Sequence, residues 1–165
     1  MNVLLSIRPE YSRKIFSGEK RYEFRKRRPQ RSVGKVFVYE CRPSRSIVGW
    51  FSVRRIHSGS PEEIWERCKE SGGIRKESYF AYCSGRKIIH AFEIDEIFRF
   101  DCPLDPFDCI RDFRAPQDFV YFYANRVQGA LGDKKYIDST LLECENPRHE
   151  TPDLAPCAPP PGTTM

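Results

Sequence analysis

The chain has 165 residues, of which 39% are apolar and 31% are charged, and these values predict one compact, soluble domain. No apolar run approaches the roughly 20 residues of a membrane-spanning helix, and the apolar stretch at the amino terminus is too short for a secretory signal, so we expect a cytoplasmic protein without a membrane partner. Residues 1–60 carry 15 Lys and Arg against 4 Asp and Glu, whereas the remainder carries 13 against 19, and this asymmetry predicts a polyanionic partner, most simply nucleic acid.

Alternating polarity and turn residues predict a strand and a helix in residues 3–18. Residues 3–8 alternate, with Ser6 and Arg8 on the face opposite the apolar one, and predict a strand. Pro9 suits the first turn of a following helix, which Gly18 ends.

The rest of the chain continues the α+β pattern. Ser60 and Glu63 form the signature of a capping box. The predicted elements are strands at 20–26, 35–40 and 47–56, helices at about 61–71 and 75–84, and a long strand, or two strands meeting at a bend, at 88–100. Pro103 and Pro106 should then break regular structure. The order predicts an α+β domain built on a small mixed β-barrel with helices at its ends.

The chain has seven cysteines, an odd number, at irregular spacings and without a C-x-x-C motif. We therefore expect reduced thiols that act mostly as small core residues, and no metal site. No cofactor is predicted either, and the sequence leaves the oligomeric state open.

The stretch SGEKRYEFRKRR combines six cations with two carboxylates. A strand over residues 21–26 places Glu23 and Arg25 together on an open face and directs the two aromatic side chains into the core. Lys20 joins this pair if the chain is still turning there, which Gly18 allows. A lysine, a carboxylate and an arginine would then converge at the mouth of one strand.

Two interpretations of this convergence are open. If the first strand lies nearby, Ser6 and Arg8 add a hydroxyl and a second guanidinium, and the pocket would hold a phosphate through forked arginine contacts. Glu23 would accept a hydrogen bond from the amine or imino group of a base. A surface ion pair of Glu23 with Arg25 or Lys20, contributing about 0–1 kcal/mol, explains the pattern equally well.

The stretch LLSIRPEYSRKIFSGEKRYEFRKR, residues 4–27, resembles the opening of ASCH domains, a PUA-like family. Gly18, Lys20, Glu23 and Arg25 meet the family motif G-x-K-x-x-E-x-R in full. The later stretches KVFVYECRPSRSIVGWFSV, HAFEI and APQDF extend the likeness to about residue 122. The resemblance implies a PUA-like β-barrel with flanking helices and a cleft, lined by the motif, that binds RNA or a nucleotide-derived ligand.

This likeness divides the chain into three predicted segments. Residues 1–122 form the ASCH domain, and residues 123–145 form a C-terminal extension. Residues 146–165 are rich in Pro, Thr, Ala and Gly and are expected to be a disordered tail.

The first functional hypothesis is a binding module for RNA or a nucleotide, including a modified nucleoside, without a metal or cofactor. Tyr39 is an additional candidate, because an aromatic ring can stack on an unpaired base. The predicted ligand-binding residues are Ser6, Arg8, Gly18, Lys20, Glu23, Arg25 and Tyr39.

The alternative hypothesis is a hydrolase that acts on a modified nucleoside or on RNA, with Lys20 and Glu23 as catalytic residues. The resemblance implies this alternative, since some ASCH proteins deacylate a modified cytidine and others have been ascribed ribonuclease activity. The deacylases carry a threonine where Glu23 stands, so their nucleophile is missing here. Glu70, His57 and His90 are weaker acid–base candidates.

A third interpretation takes the two helices around residues 72–73 as a DNA-binding helix-turn-helix. The second helix would present few cations to DNA, which disfavours this interpretation.

Overall fold

The computed structural model describes residues 1–110 and 113–122 and the backbone of residues 144–145. The elements are β1 (Asn2–Ile7), α1 (Pro9–Phe16), β2 (Tyr22–Arg25), β3 (Lys35–Glu40), β4 (Ile47–Gly59), α2 (Pro61–Cys68) with a 3₁₀ turn (Lys69–Ser71), α3 (Lys76–Cys83), β5 (Ile89–Leu104), α4 (Pro106–Cys109), β6 (Phe119–Phe122) and β7 (Cys144–Glu145). Apart from β7, the predicted extension and tail lie outside the described residues. None of the helices in the described part has the length and apolarity needed to cross a bilayer.

The strands form one mixed sheet in the order β2-β5-β4-β3-β1-β6-β7. β1 and β3 are parallel, whereas the other neighbouring pairs are antiparallel. Three strands separate β2 from β1 in this order, yet Arg25 Nη2 on β2 donates to the carbonyl oxygen of Ser6 on β1 at 2.9 Å. The sheet must therefore curl into a half-barrel. This architecture, with its few flanking helices, confirms the predicted PUA-like α+β fold.

Apolar clusters cover both faces of the sheet. The inner cluster contains alternate residues of β1, namely Val3, Leu5 and Ile7, together with Phe92 on β5. Leu4, on the opposite face of β1, is also fully buried, because it packs in a second cluster with residues such as Phe37, Trp50, Ile110 and Phe113. The expectation that only one face of β1 is buried is therefore wrong. Residues after β5, including Ile110 and Phe113, cover this face of β1. The alternation of residues within β1 cannot predict this contact.

A third cluster lies beneath α2 and α3. Phe24 packs there against Trp65 and Tyr79, and Tyr22 is partly buried at its edge. The predicted burial of the β2 aromatic side chains in a core is thus confirmed for Phe24. The capping box that begins α2 is also present, since the Ser60 side chain accepts from the Glu63 amide and the Glu63 carboxylate accepts from the Ser60 amide.

The predicted break at Pro103 is wrong, because β5 continues through this residue to Leu104. β2 pairs with β5 only over residues 90–93, so the distal part of β5 pairs with β4 alone among the described strands. A proline is tolerated on such an edge because no ladder hydrogen bond is lost. The helix α4 was not predicted, and the Asp105 side chain caps it by accepting from the Phe107 amide at 2.9 Å.

The described cysteines with placed side chains are free thiols in contrasting environments. Cys68 is buried in the third cluster, and burial raises its thiol pKa to about 11. Cys102 is exposed on β5. The reactive species is the thiolate, so iodoacetamide at pH 8 should modify Cys102 while leaving Cys68 intact until urea unfolds the chain. Mass spectrometry of peptides from the native and unfolded protein measures this difference, and equal rates at both positions in the native protein would contradict the fold.

Candidate functional site

A turn after α1 directs Lys20 towards the interior before β2 begins. Gly18 adopts φ +81°, a left-handed conformation that costs glycine little and other residues more. The amide of Lys20 then donates to the carbonyl oxygen of Lys14 at 2.8 Å, and the amide of Arg21 donates to that of Ser71 at 2.7 Å. Gly18 is thus a backbone requirement of the turn that places the Lys20 side chain.

Lys20, Glu23 and Arg25 form one cluster, which we call the motif cluster. Glu23 Oε2 lies 3.6 Å from Lys20 Nζ, and Glu23 Oε1 lies 3.0 Å from Arg25 Nη2. The three residues are only 3%, 7% and 7% exposed, respectively. The expectation of an open face is therefore wrong. Glu23 lies opposite Phe92 in the sheet, and the curling of the sheet encloses this inner face.

The turn at Gly72 and Gly73 completes the enclosure of Lys20. Lys20 Nζ donates to the carbonyl oxygen of Gly72 at 2.7 Å. Gly73 adopts φ +63°, and a Cβ atom at this position would lie 2.7 Å from the Cβ of Lys20. The close approach of this turn to the lysine stem therefore requires glycine at position 73.

The Arg25 guanidinium connects three parts of the fold. Its Nη2 contacts Glu23 and the Ser6 carbonyl oxygen, and its Nη1 lies 3.8 Å from Asp118 Oδ1 in the segment before β6. Its Nε is buried and has no hydrogen-bond partner among the described residues. With Lys20 and Asp118 included, two cations face two carboxylates.

The environment of Lys20 disfavours its charged form. Burial lowers the pKa of Lys20, the attraction of Glu23 opposes this effect, and the nearby Arg25 adds to it. Lys20 Nζ also lies 4.6 Å from the centre of the Phe24 ring and 5.5 Å from that of Tyr11. A lysine placed in this way loses its proton more easily than an exposed one.

Two tyrosines and an aspartate also lie near the motif cluster, and no spacing pattern in the sequence predicts their presence there. Burial raises the pKa of Tyr82 to about 12, with Arg25 acting in the opposite direction and Glu23 and Asp118 adding to the rise. Burial also raises the pKa of Tyr11, to which Glu23 contributes. Tyr82 and Asp118 come from α3 and from the segment before β6, far along the chain from the motif.

The side chains of three other predicted site residues lie away from the cluster. The Ser6 hydroxyl is on the outer face and donates to the Pro116 carbonyl oxygen at 2.6 Å, so only the backbone of Ser6 meets Arg25. Arg8 is exposed, with Nη1 3.8 Å from Glu10 Oε1. Tyr39 is 6% exposed and its ring packs 5.1 Å from that of Phe113, which disfavours the predicted stacking on a base.

The weaker acid–base candidates are separate from the motif cluster. His57 Nε2 lies 2.8 Å from Glu93 Oε2, and His90 Nδ1 lies 2.7 Å from Ser58 Oγ. Glu70 is exposed after α2. Within the described ranges, His, Cys, Asp and Glu form no group of three or more that could hold a metal ion.

The burial of the motif cluster predicts a large effect of Glu23→Gln on stability. The substitution leaves Lys20 and Arg25 buried without their shared carboxylate, and breaking a buried ion pair costs about 3–5 kcal/mol. Glu19→Gln is the matched control, because Glu19 pairs with Lys14 at 2.9 Å on the surface and such pairs contribute about 0–1 kcal/mol. Urea unfolding of both variants measures the difference, and equal losses would show that the motif is a surface ion pair.

Two relatives share sequence with this chain over most of the described region. The ASCH domain-containing ribonuclease from Zymomonas mobilis subsp. mobilis is 26% identical over 132 residues, which are 76% of this chain and 86% of that protein. Large ribosomal subunit protein uL22 from Ureaplasma parvum serovar 3 is 28% identical over 104 residues, which are 62% of this chain but only 33% of that protein.

Solved structures share the fold. The crystal structure of ASCH from Zymomonas mobilis has a TM-score of 0.68 and 24% identity, and the match covers 73% of this chain and 86% of that one. A mutant of that protein gives the same TM-score, with 27% identity and coverages of 73% and 87%. Residues 5–98 match the sequence model of the ASCH domain. Because this match spans more than half of the 165 residues, the chain belongs to the ASCH domain family.

Proposed function

We propose that this chain is a cytoplasmic RNA-binding module and that the motif cluster receives an unpaired base. The observation that carries this proposal is the buried Nε of Arg25, which has no partner among the described residues. A buried donor without an acceptor costs about 1–3 kcal/mol. A ligand that brings an acceptor to this atom removes that cost on binding.

The chemistry of the cluster matches the edge of a base. Arg25 Nε offers a donor, and a base carbonyl oxygen or ring nitrogen accepts from it. Glu23 keeps acceptor capacity beyond its contacts with Lys20 and Arg25, since each carboxylate oxygen has two lone pairs. A carboxylate accepts from an exocyclic amine such as that of cytosine. An adjacent donor and acceptor therefore favour a base that presents both.

A single strand fits this site better than a duplex. The three residues of the motif cluster are each less than 10% exposed, so an approaching base must leave its stack and its pairing partner. Sequence-specific RNA recognition uses unpaired bases in this way. The excess of cations in residues 1–60 and the name of the Zymomonas mobilis relative, a ribonuclease, further support RNA as the partner.

A second candidate function is cleavage of RNA, which two observations favour. One relative is called a ribonuclease, and burial lowers the pKa of Lys20. The neutral amine of Lys20 would accept the proton of a ribose 2′-hydroxyl, whose oxygen then attacks the adjacent phosphorus. This step forms a 2′,3′-cyclic phosphate and expels the 5′ oxygen of the next nucleotide, which takes a proton from water. Hydrolysis of a modified nucleoside stays a prediction.

The binding proposal is tested with Arg25→Lys, which keeps the positive charge but removes Nε and the planar fork. We expect the Kd for a labelled single-stranded RNA of about 12 nucleotides to rise about tenfold when measured by fluorescence anisotropy. The control is Arg54→Lys, because Arg54 is an exposed arginine paired with Asp95 at 2.6 Å, and this variant should bind like the parent. Circular dichroism verifies folding, and equal affinities of the two variants would contradict the proposal.

The cleavage candidate is tested separately, by incubating 5′-labelled RNA with the protein and resolving the products on a gel. If the chain cleaves RNA as proposed, Lys20→Met should abolish product formation. Lys14→Met should leave cleavage intact, because Lys14 pairs with Glu19 on the surface. RNA that stays intact with the parent protein would exclude cleavage and leave binding as the function.

A further inference from the structure

A second cationic feature lies beside the motif cluster, where β2 ends. It is an open groove of about 590 Å³, which we call the basic groove, lined by Lys26, Arg28, Arg86 and Lys87 together with Ser58 and His90. This volume is within the range of ligand-binding clefts, about 300–1,000 Å³. Two of the cations follow the motif directly, and the other two follow α3, so the fold brings together charges that are distant in sequence.

The charged side chains that line the basic groove are all positive among the described residues. The lining includes four cations and, in the part of the chain that the structure describes, no carboxylate. Arg28, Arg86 and Lys87 are exposed, and within the described residues no carboxylate lies at ion-pair distance from any of the four. Lys26 Nζ lies 5.0 Å from the centre of the Tyr82 ring, which holds this cation in place. A concave surface of like charges attracts polyanions and repels cations.

Ser58 and His90 add neutral polar groups to the basic groove. Their hydrogen bond, 2.7 Å between Ser58 Oγ and His90 Nδ1, leaves Nε2 as the other ring nitrogen. Burial lowers the pKa of His90, and the nearby Arg28 adds to this effect, so both favour the neutral ring. A neutral imidazole nitrogen donates to a phosphate oxygen or accepts from a ribose 2′-hydroxyl, depending on its tautomer.

The basic groove and the motif cluster are neighbours in the sheet. His90 on β5 lies directly opposite Arg25 on β2, and Lys26 is the next residue along the chain. Arg25 belongs to the motif cluster, whereas its cross-strand partner His90 and the next residue, Lys26, both line the basic groove. One nucleic-acid strand would reach both features.

We propose that the basic groove binds the phosphodiester backbone of the same single-stranded RNA whose unpaired base enters the motif cluster. The inference rests on the proposed function, and it assigns separate tasks to the two features. Backbone contacts supply affinity and position, whereas the base contacts supply specificity. The cations of residues 20–35 are divided accordingly, because Lys20 and Arg25 are buried in the cluster while Lys26 and Arg28 line the groove.

The experiment compares two double variants with equal changes in net charge. Arg86→Ala/Lys87→Ala removes two exposed cations of the basic groove after α3. Arg75→Ala/Lys76→Ala removes two exposed cations at the other end of α3, away from the groove lining. The probes are the labelled RNA, an abasic ribose-phosphate strand of the same length and a polyglutamate peptide of the same charge.

We expect the groove variant to bind both RNA and the abasic strand about tenfold more weakly than the parent. The slope of log affinity against log salt should become shallower by about 0.7 for each lost phosphate contact. The control variant should bind both strands like the parent. Arg25→Lys should weaken RNA binding but leave binding of the abasic strand unchanged, because the abasic strand has no base to contact Nε.

The outcomes separate the two proposals. Equal losses in the two double variants would overturn the groove while leaving the effect of Arg25→Lys intact. A loss confined to the groove variant, with Arg25→Lys unaffected, would support the groove and contradict the base site. Polyglutamate bound as tightly as RNA would overturn the assignment to RNA backbone, and failure of the parent protein to bind RNA would overturn both proposals.

Discussion

The side chain of Arg25 is the constraint on which the site depends. It starts on β2, at one end of the curled sheet, and donates to the backbone of Ser6 on β1, which three strands separate from β2 in sheet order. The guanidinium is buried, so its charge must be matched, and Glu23 provides the carboxylate at 3.0 Å. The side chain that bridges β2 and β1 therefore also sets the position of Glu23 and of Arg25 Nε, the two groups that we propose for base recognition.

The glycine turns extend this arrangement to Lys20. Gly18 reverses the chain after α1, and Gly73 allows a second turn to pack on the Lys20 stem, so that the ammonium reaches the carbonyl oxygen of Gly72. The family motif thus describes a packing unit as well as a chemical one. Its four defining residues supply one turn, two buried cations and the carboxylate between them.

Much of the fold and part of the site could be predicted from sequence, for physical reasons. The alternation in residues 3–8, the capping box at Ser60 and the phase of Glu23 and Arg25 are local signals, and local signals survive without the tertiary structure. The burial of the cluster could not be predicted, because it follows from the curl of the sheet. The side of β1 on which Ser6 lies was predicted, but not that its hydroxyl turns to Pro116. The contributions of Tyr82 and Asp118, and the meeting of Lys26 with Lys87 in the basic groove, come from tertiary contacts alone.

The motif cluster is buried and the basic groove is open, so the two features suit different parts of a ligand. The groove offers exposed cations that can hold any phosphodiester backbone, and the cluster offers one donor and one carboxylate within a confined space. In the function that we propose, the groove contributes affinity for the backbone and the cluster contributes selectivity for the base.

Nuclear magnetic resonance of the arginine Nε–H groups tests most directly whether Arg25 Nε meets an acceptor from RNA. On titration with single-stranded RNA, the account predicts that the Arg25 Nε–H resonance shifts and exchanges more slowly with water. The exposed Arg54, which pairs with Asp95, serves as the internal reference and should not shift. An unchanged Arg25 resonance at RNA concentrations that saturate the protein would contradict the account.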